Sequence, residues 1–257
     1  MQLNYQYFES ANSNLTPLVI VPGLFGSIAN WRRVAKMLAA GRPVYVVDQR
    51  NHGRSPHSDS HSYADMVEDL SLFLQDREIE SCHIAGHSMG GKVAMLLALE
   101  KLNHLASLCV LDIAPVTYSH SHAPFLEALL EVDLSNLESR AQADRALRHA
   151  IPDTPTRLFL LQSLGGSPGK YYWRINLAVL HQYMEQLVAF PDMHETSQTP
   201  ALFLRGENSI YVTPEHHVKI KTLFSNSHIE TVADAGHWLH AEQPKAVVAA
   251  IEKFLVL

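Results

Sequence analysis

The stretch GHSMG at residues 86–90 decides the fold, because it is a G-x-S-x-G motif between a predicted strand and a predicted helix. The apolar run at 82–85 is typical of a buried strand, and KVAMLLALE at 92–100 is typical of a helix. In this context the serine lies on a tight elbow that exposes its hydroxyl at the top of a sheet. The glycines of the motif fit such a turn, since strand and helix approach too closely for a β-carbon. The motif therefore predicts Ser88 as a nucleophile.

Length, composition and charge describe one folded domain. With 257 residues, the chain is expected to form one α/β domain that carries an insertion. Hydrophobic residues make up 47% of the chain and charged residues 18%, which is sufficient for a large core. The 26 acidic residues outnumber the 20 basic ones, so the net charge of −6 gives no support for a nucleic-acid partner.

The sequence predicts neither secretion nor a membrane partner. Residues 1–6 lack the basic and apolar regions of a signal peptide, and no apolar run approaches the roughly 20 residues needed to span a bilayer. Cys82 and Cys109 both lie in apolar, strand-like runs, where free thiols act as small hydrophobic side chains. We therefore expect a reduced, cytoplasmic protein.

Short apolar runs alternate with amphipathic helical segments, which indicates a mostly parallel sheet with helices on both faces. The predicted strands are 2–8, 18–21, 44–47, 83–85, 108–111, 201–204 and 228–232. Ser62 is predicted to cap one helix, and Thr213 to cap another. Pro244 is predicted to begin the last helix.

The alternation breaks between about residues 114 and 199, where apolar positions keep a helical period and no buried strand is predicted. We interpret residues 114–198 as a helical cap inserted before the last two strands. The core would then comprise residues 1–113 and 199–257. The cap is expected to lie over the carboxyl ends of the strands, where α/β sheets bind ligands.

A serine nucleophile needs a base, and in elbow hydrolases the chain order is serine, acid, histidine. The base should therefore follow the last strand. Of the 16 histidines, His237 in AGHW at 235–238 has that position. His240 is the nearest alternative and is expected to point toward the start of the final helix. His87 is expected to leave the elbow in the wrong direction for a base and to be structural or pocket-lining.

The oxyanion hole should combine the backbone N–H after the nucleophile, that of Met89, with one from a loop after an early strand. The loop PGLFGS at 22–27 has this position, between a strand and a helix expected to start near Ile28. We predict the N–H of Leu24 as the second donor. The alternative is that this loop is only a tight strand–helix connection.

The acid has two candidates. In many elbow hydrolases it follows the strand after the cap, but the expected position near Ser209 holds no carboxylate. Glu207 lies close to that position. Asp112 ends an otherwise apolar strand, where an unpartnered carboxylate is costly, so it is the favoured acid and Glu207 the alternative. Asp48 is expected to hold the loop that follows its own strand.

Phe25, His87 and Trp238 are the predicted pocket residues, because each lies beside a predicted catalytic element. Most aromatic residues of the predicted cap are expected to form its own core; they are Phe125, Phe159, Tyr171, Tyr172, Trp173 and Tyr183. The histidines of SHSH at 119–122 and those at 216–217 lack the spacing of metal ligands. We predict them to be surface residues, with no metal site and no cofactor.

The chain resembles the α/β-hydrolase superfamily, and within it the YbfF-type esterases. The motifs that carry the resemblance are PGLFGS at 22–27, VDQRNHGRSP at 47–56, GHSMGGK at 86–92, LDIAPV at 111–116, GENSIYV at 206–212 and AGHWLHAEQP at 235–244. The resemblance implies the α/β-hydrolase fold, Asp112 as the acid, and Leu24 and Met89 as oxyanion donors. One departure is Pro22, where such enzymes usually have histidine; the backbone donor at Leu24 does not depend on that side chain.

These observations predict a serine hydrolase that cleaves small-molecule carboxylic esters, extending to acyl thioesters, through Ser88, His237 and Asp112. One alternative is a carbon–carbon bond hydrolase or lyase, or a cofactor-free haloperoxidase, that uses the same fold and serine. Another alternative is a non-catalytic ligand-binding protein. Epoxide and haloalkane hydrolysis are disfavoured, because in this fold they need an aspartate nucleophile at the elbow.

Overall fold

The predicted apolar runs form the central sheet in the computed structural model, which describes residues 1–100 and 105–256. The strands of this sheet are β1 (Tyr5–Phe8), β2 (Leu18–Val21), β3 (Val44–Val47), β4 (Cys82–His87), β5 (Leu105–Leu111), β8 (Ala201–Gly206) and β9 (Ser227–Val232). Their spatial order is β1-β3-β2-β4-β5-β8-β9. Only β1 pairs antiparallel, so the sheet is mostly parallel, as predicted.

The first strand is shorter than the predicted range 2–8. It begins at Tyr5 because the preceding N–H, that of Asn4, donates to Ser55 Oγ at 2.8 Å and takes no part in a strand ladder. Strands β4, β5, β8 and β9 are each longer than predicted at one end or both.

Helices cover both faces of the sheet. Their bounds are α1 (Ile28–Leu38), α2 (Tyr63–Asp76), α3 (Met89–Leu99), α4 (Ala123–Leu130), α5 (Arg140–Leu147), α6 (Thr154–Leu160), α7 (Leu177–Gln182), α8 (Met184–Val188), α9 (Pro214–Leu223), α10 (Leu239–Glu242) and α11 (Pro244–Leu255). The predicted caps Ser62 and Thr213 precede α2 and α9, and Pro244 begins α11, as predicted.

Alternating side chains of β2 build one core on each face of the sheet. Val19 and Val21 pack in the core that includes α2 and α3, whereas Leu18 and Ile20 pack in the core that includes α1 and α11. Alternation follows from the two-residue period of a strand, which sends successive side chains to opposite faces. A strand buried on both faces reads as a continuous apolar run, which is why LVIV was recognisable in the sequence.

Helices α4–α8 lie in the chain between β5 and β8, which are neighbours in the sheet. The segment between these two strands also contains a two-stranded antiparallel sheet, β6 (Leu164–Gly165) with β7 (Tyr172–Trp173). No strand was predicted in this part of the chain. A two-residue strand is too short to show a period in sequence, so pattern reasoning missed it.

Candidate active site

Ser88 lies at a sharp turn between β4 and α3, in the left-handed region at φ 51° and ψ −122°. The turn is possible because Gly86 and Gly90, two residues before and after Ser88, lack side chains. A β-carbon on Gly86 would come within 2.3 Å of the Gly90 carbonyl oxygen, and one on Gly90 within 2.3 Å of the Val21 carbonyl oxygen. The strained backbone holds the Ser88 side chain where strand and helix meet.

His237 reaches Ser88 from the loop between β9 and α10. Its Nε2 lies 3.1 Å from Ser88 Oγ. The backbone of His237 is held in turn, because the Nε2–H of His87 donates to its carbonyl oxygen at 2.8 Å. The Tyr211 ring stacks on the imidazole with centroids 3.9 Å apart. Contacts on both sides therefore fix the orientation of the ring.

Asp112 binds the other nitrogen of the same imidazole. It follows β5 at φ 52°, and its Oδ2 lies 2.8 Å from Nδ1 of His237. The Gly206 N–H donates to Oδ1 at 2.9 Å, and the Ser209 hydroxyl donates to Oδ2. Ser209, which occupies the position where many elbow hydrolases have the acid, thus donates a hydrogen bond to the Asp112 carboxylate.

Glu207, the alternative acid, is exposed at the surface. Its Oε2 accepts the Asp234 N–H at 2.9 Å, and it makes no hydrogen bond with His237 in the described part of the chain.

His240, the nearest alternative base, has no hydrogen-bond partner among the described residues for either ring nitrogen. It is 2% exposed and stacks on Trp31 of α1, with ring centroids 4.2 Å apart and planes within 5°. Stacking on a large aromatic ring gives this imidazole a place in the core between α1 and α10.

Burial sets the charge states of the site. It lowers the pKa of His237 below the usual histidine range, so the ring is neutral at pH 7 and can accept a proton. Burial raises the pKa of Asp112 to about 6, against the opposing effect of the donors from Ser209 and Gly206. It also lowers the pKa of His87 to about 3, which keeps the structural histidine neutral.

The predicted oxyanion donors both lie next to Ser88. Leu24 and Met89 line the same cavity as the serine, and in the described part of the chain neither of their N–H groups has a hydrogen-bond acceptor. The loop carrying Leu24 is fixed at Phe25, in the left-handed region at φ 64°, whose N–H donates to Nε2 of buried His52 at 3.3 Å. Gln49 donates to the carbonyl oxygen of Pro22 at 2.7 Å, which holds the start of the loop.

Two small cavities meet at Ser88. The first, of about 30 Å³, is lined by Leu24, Tyr63, Ser88, Met89, Lys92, Ile113, Tyr118, His120, His122, Met184, Leu187, Val188 and Tyr211. The second, of about 20 Å³, is lined by Leu24, Phe25, His87, Ser88, His122, Phe125, Leu160, His237 and Trp238. Phe25, His87 and Trp238 therefore line the second cavity. Phe125 also lines the second cavity, and Tyr118, which follows β5, lines the first.

The prediction that His120 and His122 are surface residues was wrong. Both are partly buried and line the first cavity, and His122 Nε2 lies 3.0 Å from the Tyr211 hydroxyl. Sequence reasoning missed them because the loop after β5 has no period that shows which way it folds. A signal was nevertheless available, since this loop directly follows Asp112 at the carboxyl end of a strand.

Lys92 is a second lining residue that sequence reasoning did not single out. It lies on α3 one turn after Ser88 and is 1% exposed. Its ammonium group donates to three backbone carbonyls, those of Leu187, Val188 and Ala189, at 3.3, 2.8 and 2.7 Å. Burial lowers the pKa of Lys92 to about 7. The buried side chain joins the core helix to the segment that carries Leu187 and Val188, which also line the cavity.

Within residues 1–100 and 105–256, no group of three or more His, Cys, Asp or Glu side chains is placed to hold a metal ion. None of the helices that the structure describes has the length and apolar character of a membrane-crossing segment.

Comparisons with known proteins identify the family. The model of the alpha/beta hydrolase family matches residues 18–250. The chain is 39% identical to the sn-1-specific diacylglycerol lipase ABHD11 of Mus musculus, covering 99% of this chain and 85% of that protein. It is 34% identical to esterase YbfF of Escherichia coli K12, with 99% of each chain covered. A solved structure of a marine microorganism esterase is 36% identical and has a TM-score of 0.93, covering 98% of this chain and 99% of that one.

Proposed function

The chain belongs to the alpha/beta hydrolase family, and on this premise we propose that it hydrolyses carboxylic esters through Ser88, His237 and Asp112. Relatives that share more than a third of its residues are named esterase and diacylglycerol lipase. The observation that carries the proposal is the unbroken hydrogen-bonded series from the buried Asp112 carboxylate through His237 to the Ser88 hydroxyl.

In the first half of the reaction, Ser88 Oγ attacks the ester carbonyl while Nε2 of His237 accepts the hydroxyl proton. Asp112, bound at Nδ1, holds the tautomer that leaves Nε2 free and stabilises the imidazolium that forms. The N–H groups of Leu24 and Met89 donate to the oxyanion, and each such donor is worth about 3 kcal/mol.

The alcohol then leaves with the proton from His237, and the acyl group remains esterified to Ser88. In the second half, water attacks this acyl-enzyme and gives its proton to His237. The bond between the acyl carbon and Ser88 Oγ then breaks, and His237 returns its proton to Oγ as the carboxylic acid departs. The cycle therefore consumes only ester and water. The same steps apply to acyl thioesters, with a thiol as the leaving group.

We also propose that residues 114–198 act as a cap over this site. Support comes from the first cavity, one wall of which is formed by Ser88 and Met89 of the core and the other by Met184, Leu187 and Val188. Substrate choice would then be set by side chains of the cap.

The test compares Ser88→Ala with Ser225→Ala, a change at an exposed serine in the turn before β9. With p-nitrophenyl acetate, we expect Ser88→Ala to lower kcat/KM by at least about 10⁴-fold and Ser225→Ala to leave it unchanged. A fluorophosphonate probe should label the wild-type protein and not Ser88→Ala. Turnover by Ser88→Ala at the wild-type rate would exclude serine catalysis, and a folded wild-type protein that takes no label would favour a binding protein.

A further inference from the structure

A cleft of about 380 Å³ lies apart from the Ser88 cavities and shares no lining residue with them. Three arginines from distant segments line it: Arg32 from α1, Arg54 from the loop after β3, and Arg174 directly after β7. The cleft is therefore a junction between the core and the segment that separates β5 from β8.

None of these three guanidinium groups makes a hydrogen bond or an ion pair within the part of the chain that the structure describes. Two buried arginines of this protein, by contrast, are paired with carboxylates. Arg50 is bound by Asp69 through two hydrogen bonds, and Arg157 is bound by Asp144 at 2.8 Å. The cleft thus brings together three guanidinium groups that have no partner among the described residues, in a chain whose net charge is −6.

The one carboxylate in the cleft, that of Asp48, makes no ion pair with the three arginine side chains among the described residues. Asp48 Oδ1 accepts the Ile28 N–H at 2.8 Å, and its Oδ2 accepts the Arg54 N–H at 2.9 Å and the Asn4 amide at 2.7 Å. Its three hydrogen bonds therefore come from neutral N–H donors, which fits the loop-holding role predicted for it. The guanidinium groups remain available for another anion.

A phosphate group matches such a cleft chemically. Each guanidinium presents a planar pair of N–H donors that fits the tetrahedral oxygens of phosphate, and three like charges held around one space favour a multivalent anion. Residues Ser27, Ile28 and Ala29 also line the cleft, but the Ile28 N–H at the start of α1 already donates to Asp48, so the attraction comes from the arginines.

We propose that this cleft binds a phosphate group, carried either by a soluble phosphate compound or by a lipid headgroup. The site lies close to the predicted oxyanion loop, since Ser27 follows Leu24 by three residues and their Cα atoms are at most about 11 Å apart. The inference does not depend on ester hydrolysis, because binding is measured directly.

The test is calorimetric titration of pyrophosphate into the wild-type protein and into Arg32→Gln, Arg54→Gln and Arg174→Gln. Arg33→Gln is the matched control, since Arg33 is an exposed neighbour on α1 that does not line the cleft. We expect the wild type to bind, each cleft variant to bind at least about tenfold more weakly, and Arg33→Gln to bind like the wild type. Absence of binding to the wild type, or equal weakening by Arg33→Gln, would overturn the proposal.

A second arm separates the two sources of phosphate. The same proteins are sedimented with phosphatidylcholine vesicles that contain phosphatidic acid, with and without pyrophosphate. Vesicle binding that Arg54→Gln abolishes and pyrophosphate displaces assigns the cleft to a lipid headgroup. Pyrophosphate binding without vesicle binding assigns it to a soluble phosphate compound. Vesicle binding that no cleft variant weakens counts against the site.

Discussion

Asp112 reaches His237 from the end of β5, whereas the end of β8 and the loop after it supply two donors to this carboxylate, the Gly206 N–H and the Ser209 hydroxyl. Asn at position 112 would keep the shape of the side chain but not the charge that stabilises an imidazolium. We therefore expect Asp112→Asn to lower kcat by about 10³-fold or more with little change in KM. Glu207→Gln, at the exposed alternative acid, is the control and should stay within about twofold of the wild type. If Glu207→Gln lowered kcat for ester hydrolysis more than Asp112→Asn did, Glu207 and not Asp112 would be the acid.

The pH dependence should report the same carboxylate. Because burial raises the pKa of Asp112 to about 6, the group gains a proton as the pH falls through that value and no longer stabilises the imidazolium. We expect kcat/KM to be full above this pH and to decline below it. Burial also lowers the pKa of His237, so the decline should lie below the ordinary histidine value of about 6.5.

Ser209→Ala tests the direction of that shift. The variant removes a donor that favours the charged form of Asp112, so the carboxyl pKa should rise and the midpoint should move upward by about one pH unit. The measurement is kcat/KM from pH 4 to 9, with Ser225→Ala as the unshifted control. If the midpoint stays in place or moves downward in Ser209→Ala, the decline in kcat/KM at low pH is not caused by protonation of Asp112.

Some residues of the site could be predicted from the sequence and others could not. Ser88 and His237 were predicted from a motif and a fixed chain order, and Asp112 from the cost of burying an unpaired carboxylate. The structure brings these three side chains within hydrogen-bond distance of one another, and their catalytic roles stay predictions. His122 and Tyr211 were not found, since their contact with one another joins two loops 89 residues apart and leaves no periodic trace in the sequence.

Among whole elements, the buried strands were predictable and the connections were not. LVIV at β2 is apolar throughout because both faces of that strand are covered. The limits of β1 depended on a hydrogen bond to Ser55, and the short pair β6 and β7 gave no pattern. The anchoring of the segment at 187–189 depends on one buried lysine of α3, which in sequence looks like an ordinary helix residue.

Lys92→Met tests this anchor between elements. The change keeps an unbranched side chain but leaves three carbonyls without their charged donor, so we expect the free energy of unfolding to fall by about 2–3 kcal/mol. Urea denaturation measures the difference. Lys253→Met is the control, because Lys253 is 72% exposed and lies 3.6 Å from Glu230, a surface pair worth less than about 1 kcal/mol. Equal losses in the two variants would mean that Lys92 anchors nothing.

At the scale of the whole molecule, the Ser88 cavities lie between the sheet core and the segment that follows β5. No local sequence pattern predicts the volume of these cavities, because the volume depends on how two distant parts of the chain pack. The first cavity, of about 30 Å³, has room for about two water molecules. A long acyl chain can enter only by displacing side chains such as Met184 and Leu187, which are 3% and 6% exposed.

We therefore expect a preference for short acyl groups. Overpacking a closed cavity costs about 1–3 kcal/mol, so kcat/KM for p-nitrophenyl acetate and butyrate should exceed that for the octanoate by at least about tenfold. Leu187→Ala removes part of one wall, and the octanoate-to-acetate ratio should rise by about fivefold or more. Leu158→Ala is the control, since Leu158 is 55% exposed and lines neither cavity. A wild-type protein that prefers the octanoate, or a ratio unchanged by Leu187→Ala, would show that the acyl chain binds elsewhere.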